Sequence, residues 1–109
     1  LPSHPQHEQA RRLFHGRGFG AVLSFEIAGA DKTAAFRFMD ALELCLPATT
    51  LGDIYTIVLH PASSSHRALS AAERAEVGIG DGLVRLSVGI EDAGDIIGDL
   101  EQALQSSGL

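Results

Sequence analysis

Leu83-Val84-Arg85-Leu86-Ser87-Val88-Gly89-Ile90-Glu91 alternates along its length. Side chains on a strand switch face at every residue, so Val84, Leu86, Val88 and Ile90 share one face and Arg85, Ser87 and Gly89 share the other. The first face can cover a core. The second carries a guanidinium with only a hydroxyl and a glycine beside it along the strand. An arginine in mid-strand needs partners for five N–H donors, and a carboxylate suits its planar fork best. From the residues alone two readings stand: a solvated face or internal ion pair, since surface arginines are common, or a site for a planar anion.

Working outward, Gly78-Ile79-Gly80-Asp81-Gly82 is turn punctuation that releases the chain into this strand. Asp92 can cap a final helix whose buried stripe would be Ile96, Ile97, Leu100, Ala103 and Leu104, ended by Ser106-Ser107-Gly108. Ser70-Ala71-Ala72-Glu73 is a capping box for a short helix reaching about residue 77. Further upstream, residues 21–28 read as a strand, with Ala21, Leu23, Phe25 and Ile27 on one face and Ser24 and Glu26 on the other. Asp31 can cap a helix over residues 32–44 with a core stripe of Ala35, Phe38, Met39 and Leu42, broken by Pro47. Residues 48–53 read as a short β segment running into a turn, and 55–59 as a second β-rich run. A helix over residues 6–15, with Ser3 available as cap, ends at Gly16, Gly18 and Gly20. The pattern predicts one α/β domain over residues 1–109: an α+β sandwich with a small mixed or antiparallel sheet of about four strands and helices on one face.

The totals narrow the function. The chain has 109 residues and a net charge of −6, which argues against nucleic acid as a partner. No apolar run approaches the roughly 20 residues of a membrane helix. The single cysteine, Cys45, excludes an internal disulfide and points to a reducing compartment. The chain starts at Leu1 and its only methionine is Met39, so it is expected to be a processed or excised piece of something longer. His4, His7 and His15 read as solvated helix residues rather than metal ligands, because no acid or cysteine sits at ligand spacing; His60 and His66 are equally weak candidates. Ser63, Ser64, Ser65 and His66 invite a hydrolase reading that local sequence does not support. The Gly16–Gly20 triplet follows a helix instead of a strand, so it is a loop and not a phosphate cradle.

Several stretches together resemble a family. They are Tyr55-Thr56-Ile57-Val58-Leu59-His60-Pro61-Ala62-Ser63-Ser64-Ser65-His66, residues 78–92 around the Arg-Leu-Ser-Val-Gly run, Leu1-Pro2-Ser3-His4-Pro5-Gln6-His7 and Leu23-Ser24-Phe25-Glu26. The chain is similar, from residue 1 to about 105, to the C-terminal domain of the pyridoxal-phosphate enzymes of cysteine and methionine metabolism: cystathionine synthases and lyases, methionine γ-lyase and the homoserine-ester sulfhydrylases. The resemblance implies the small C-terminal domain of an aminotransferase-like fold, with the large cofactor domain absent and a homo-oligomeric, usually tetrameric, cytoplasmic parent.

It also implies roles. Arg85 would bind the α-carboxylate of the amino-acid substrate, and the hydroxyl of Thr50, where the family usually has serine before Leu-Gly, would lie near the same carboxylate. Gly52-Asp53 resembles the sulfhydrylase and methionine γ-lyase branches. The family's Schiff-base lysine, the aspartate on the pyridine nitrogen and the phosphate-binding groups belong to the large domain and a neighbouring subunit. Lys32, the only lysine, matches none of these. No catalytic or cofactor-binding residue is therefore expected in this piece, and by itself it should hold no pyridoxal phosphate and be inactive. The alternative is a stand-alone binding or assembly domain that kept the fold without the chemistry.

Overall fold

The computed structural model describes residues 1–109. Its strands are β1 (Val22–Glu26), β2 (Leu46–Pro47), β3 (Ile57–Leu59) and β4 (Leu83–Ser87), and they form one sheet in the order β1-β4-β3-β2. β4 lies between β1 and β3 and is antiparallel to both; β2 runs parallel to β3 at the edge. The sheet is mixed and four-stranded, one of the two arrangements expected. Helices α1 (His7–Leu13), α2 (Lys32–Asp40), α3 (Ala71–Glu76) and α4 (Ala93–Ser106) complete the chain, with a 3-10 turn at Pro61–Ser63.

The core forms where α2 and α4 cover one sheet face. Val84 and Leu86 of β4 and Val58 of β3 meet Phe38 of α2 and Ile96 and Ala103 of α4, with Ile27 and Cys45 filling the margins. Phe25 stands edge-on to Phe38 with ring centroids 6.1 Å apart. Burying each large apolar side chain here contributes about 1.5–3 kcal/mol. Neither α1 nor α3 buries a residue. The predicted caps form: Asp31 accepts the Ala34 N–H at 2.8 Å, Asp92 accepts that of Gly94, and Ser70 and Glu73 close a reciprocal box.

Several local expectations need correcting. Helix α2 stops at Asp40 rather than 44, because the amides of Glu43, Leu44 and Cys45 turn to Asp99 of α4 at 2.8, 3.0 and 2.8 Å. Pro47 therefore does not end the helix. It sits in edge strand β2, where the N–H groups of Leu46 and Ala48 bond the carbonyls of Thr56 and Val58 and the proline nitrogen is not needed. Residues 48–53 form a loop, not a strand, turning at Gly52 with φ +75°. Ile97 and Ile90, expected in apolar stripes, face solvent. Ile97 falls outside the strip of α4 that reaches the sheet. At Ile90 the chain has left β4, and its N–H bonds the Ile54 carbonyl. The N-cap of α1 is Gln6, not Ser3.

Asp99 is the polar tie of the helical layer. Besides the three amides, it accepts the Gln102 side-chain N–H at 3.0 Å. Burial by itself would raise its pKa, but the bonds from Cys45, Glu43, Gln102 and Leu44 outweigh burial and hold it at about 2. A carboxyl depressed below its ordinary 3.8 stabilises the fold fully above that value and loses the contribution as pH falls through about 2. Asp99→Asn turns one acceptor oxygen into a donor facing buried amides. Thermal unfolding should show a loss of roughly 2 kcal/mol near neutral pH, and the deficit relative to wild type should shrink as pH is lowered from 4 toward 2.

Candidate functional site

The register of β4 fixes the site. Ser24 of β1 and Leu59 of β3 flank Arg85 on the sheet face away from α2 and α4, just as Leu23 and Val58 flank Leu86 on the core face. The guanidinium of Arg85 is partly exposed. Its Nη2 donates to the Thr50 carbonyl at 2.9 Å, while its buried Nε has no hydrogen-bond partner. The chain's ion pairs are Arg11 with Glu8 and Arg74 with Asp81, so no internal acid neutralises Arg85. Arg85 therefore forms no internal ion pair, which removes one part of the first reading open from sequence.

The structure thus brings Arg85 and Thr50 together, but through the backbone carbonyl of Thr50. The loop that carries Thr50 lies along the polar side of β4. The Gly52 N–H donates to Ser87 Oγ at 2.9 Å. At Gly89 the loop approaches so closely that a Cβ would run into the Ile54 carbonyl oxygen. The burial of Ser87 and the close approach at Gly89 were not read from sequence; a glycine interrupting an alternating strand was the available signal.

The remaining candidates are structural. His60 is 2% exposed. Its Nε2 faces the Asp81 carbonyl at 2.7 Å and its Nδ1 faces Ser63 Oγ at 2.8 Å. A carbonyl only accepts, so Nε2 carries the proton and Nδ1 accepts from the serine. Ser65 Oγ lies 2.9 Å from Nδ1 of His66 at the surface, but no carboxylate hydrogen-bonds either His60 or His66, so neither serine–histidine pair has the orienting acid of a hydrolase triad. Nowhere do three metal-ligating side chains converge. The Cys45 thiol is pushed up to about 12 by burial, by its hydrogen bond with Asp99 and by the negative charges of Asp99 and Glu91, which makes it a poor nucleophile. A cleft of about 770 Å³ runs between residues 1–5, Phe19 and β1, with Ser24 on its wall, but its lining is largely apolar.

The residues present do not fit the holding of pyridoxal phosphate. Lys32 stands in the first turn of α2 with Nζ 5.5 Å from the centre of the Phe36 ring. That helix covers the opposite side of the sheet from Arg85.

Residues 1–105 match the model of the family described as Cys/Met metabolism PLP-dependent enzyme. The chain belongs to that family. Among its relatives, the chain is 50% identical over 104 residues to an O-succinylhomoserine sulfhydrylase of Pseudomonas aeruginosa, covering 95% of this chain and 25% of that protein. It is 47% identical over 105 residues to an L-methionine gamma-lyase of Fusobacterium nucleatum, covering 96% and 26%. The solved structure of cystathionine gamma synthase from Xanthomonas oryzae, in complex with aminoacrylate and cysteine, superposes with a TM-score of 0.84 at 42% identity, over 99% of this chain and 27% of that one. A Campylobacter jejuni structure described as an O-acetylhomoserine (thiol)-lyase, which carries a pyridoxyl-lysine phosphate group, gives 0.86 at 37% identity over 96% and 24%. The chain spans about a quarter of the length of these Cys/Met metabolism enzymes. No helix is long and apolar enough to cross a membrane.

Gly89 offers a direct check on the loop contact. Gly89→Ala should lower the urea midpoint, at unchanged m, by an amount equivalent to about 1–3 kcal/mol, the cost of forcing a methyl against backbone.

Proposed function

We propose that this chain is the C-terminal, substrate-carboxylate-binding domain of a pyridoxal-phosphate-dependent trans-sulfuration enzyme. The enzyme would be a lyase or sulfhydrylase acting on a sulfur amino acid or homoserine ester. The observation that carries the reading is the state of Arg85: one guanidinium nitrogen tied to the Thr50 carbonyl, a buried Nε without a partner, and no acid in the chain to neutralise it. Buried N–H donors are rarely left unpaired. A carboxylate arriving over the polar sheet face would satisfy the deficit with charge-assisted bonds.

Within that reading the roles of this chain's residues are binding and orientation. Arg85 holds the α-carboxylate. The Thr50 carbonyl sets the plane of the guanidinium, and the exposed Thr50 side chain offers a hydroxyl beside it. Pyridoxal phosphate, bound by the rest of the enzyme, supplies the electron sink for carbanion chemistry. The exposed Leu51, Ile54, Tyr55 and Ile90 support a place for this end against the large cofactor domain or a second subunit of a homo-oligomer. A cytoplasmic enzyme is part of the same proposal.

In the full-length enzyme, Arg85→Ala should raise KM for the amino acid by about ten- to a hundredfold, from the roughly 1.5–3 kcal/mol of a hydrogen bond to a charged group. kcat should change far less, because the contact is made equally in ground and transition states. Arg85→Lys keeps the charge without the fork and should fall between. An unchanged KM in Arg85→Ala refutes the assignment. The 109-residue chain mixed with pyridoxal phosphate and borohydride should show no stoichiometric modification of Lys32 by mass spectrometry; stoichiometric labelling contradicts the expected division of labour.

A further inference from the structure

Residues 49–55 are all exposed, so no buried side chain anchors the loop that carries Thr50. Its place is set by polar ties to β4 and the residues after it. These ties run in step. Thr50 meets Arg85, Gly52 meets Ser87, the Ile54 carbonyl accepts the Ile90 N–H, and Thr56 meets Gly89 and Glu91. The last tie is the most elaborate. Glu91 Oε1 accepts the Thr56 N–H at 2.7 Å, and its Oε2 accepts the Thr56 hydroxyl at 2.8 Å. The same hydroxyl oxygen accepts the Gly89 N–H at 3.0 Å. Thr56 is completely buried and begins the turn of the chain into β3. The bonds from the Thr56 amide, the Glu91 amide and the Thr56 hydroxyl lower the Glu91 pKa, which keeps it a charged acceptor.

We infer that Thr56 and Glu91 are positioning residues: their clasp fixes the loop against the strand, and so sets where the Thr50 carbonyl holds the Arg85 guanidinium that receives an amino-acid carboxylate. This inference rests on the reading of Arg85 as the carboxylate ligand. The physical reason is register. A slip of the loop by one residue along β4 moves its carbonyls by about 3.3 Å, beyond the reach of a hydrogen bond from Arg85. Gly89 lets the two backbones lie close, and neither it nor Gly52 supplies a side chain to resist sliding. The double acceptor at Glu91 resists it, because a displaced Thr56 amide would be left buried without a partner.

The test is steady-state kinetics of the full-length enzyme, using whichever of O-succinyl-L-homoserine and L-methionine the wild type turns over. Glu91→Ala and Thr56→Val should each raise KM about tenfold with kcat within about twofold, the pattern of a misplaced binding group. Thr56→Ser keeps the hydroxyl and should restore the wild-type KM. In an Arg85→Ala background, Glu91→Ala should add less than about twofold, because the clasp acts through the arginine. If Arg85→Ala raises KM while Glu91→Ala and Thr56→Val do not, the clasp is overturned and the Arg85 reading stands. Full multiplication of the two effects in the double variant also overturns it. If Arg85→Ala leaves KM unmoved, the carboxylate reading itself fails. Should Glu91→Ala not fold, the Thr56→Val and Thr56→Ser pair decides alone: equal KM values overturn the clasp, and a tenfold gap closed by serine supports it.

Discussion

A strand with a neighbour on each side has spent its backbone on two ladders, and only its side chains remain to distinguish its faces. β4 is in that position, antiparallel to β1 and β3. Its even-numbered residues Val84 and Leu86 are sealed beneath α2 and α4, while Arg85 leaves from the far side. A one-residue slip would exchange the two sets. It would put a guanidinium into a hydrocarbon layer at a cost of several kcal/mol. The packing of the core and the placement of the site are therefore one constraint, imposed by the same register.

The polar groups obey a second rule, and they obey it unequally. Asp99 accepts from three amides and a side-chain amide, and both of its oxygens are satisfied. His60 has a partner on each ring nitrogen. Arg85 is different: a buried nitrogen of its guanidinium is unpaired. Arg74 shares that deficit at Nε, but its other nitrogens bond the Leu69 carbonyl and the Asp81 carboxylate, so its charge is already matched within the chain. An unmatched charge on a sheet face is a different thing from an unmatched donor beside a salt bridge. That difference supports a functional role for Arg85 and a structural one for Arg74.

Much of this architecture was legible in the sequence because it is written in local chemistry. The alternation read over 83–91 gave β4, which ends at Ser87, and the caps at Asp31, Ser70 and Asp92 gave three helix starts. What failed depended on distant partners. Helix α2 ends early because an acid 54 to 56 residues away captures its following amides, and nothing near Leu44 announces that. Residues 48–53 looked like a strand because β-branched threonines favour one, yet the Leu46 and Ala48 amides had already used the edge of β3. Of the candidate site, the outward guanidinium of Arg85 was legible in the strand alternation, whereas Thr50 entered only through the family resemblance. The ties from Ser87, Gly89 and Glu91 to the loop were not, since a motif shows which residues occur together and not which of them touch.

The comparisons bear on what such a site can be for. The relatives act, by name, on different compounds: one is an O-succinylhomoserine sulfhydrylase, one a methionine gamma-lyase, and one solved structure a cystathionine gamma synthase. Yet over this quarter of their length they share between 42% and 50% of residues with this chain. Whatever the shared quarter contributes must be useful to all of those reactions. The compounds differ in the group beyond the β or γ carbon, and they have in common the amino acid end. A positively charged fork on a central strand, unneutralised by its own chain, has the chemistry to suit a carboxylate, the group that amino acids have in common. The fold of this quarter accordingly recurs, at a TM-score of 0.84, in a solved structure whose named activity differs from those of the sulfhydrylase and the lyase.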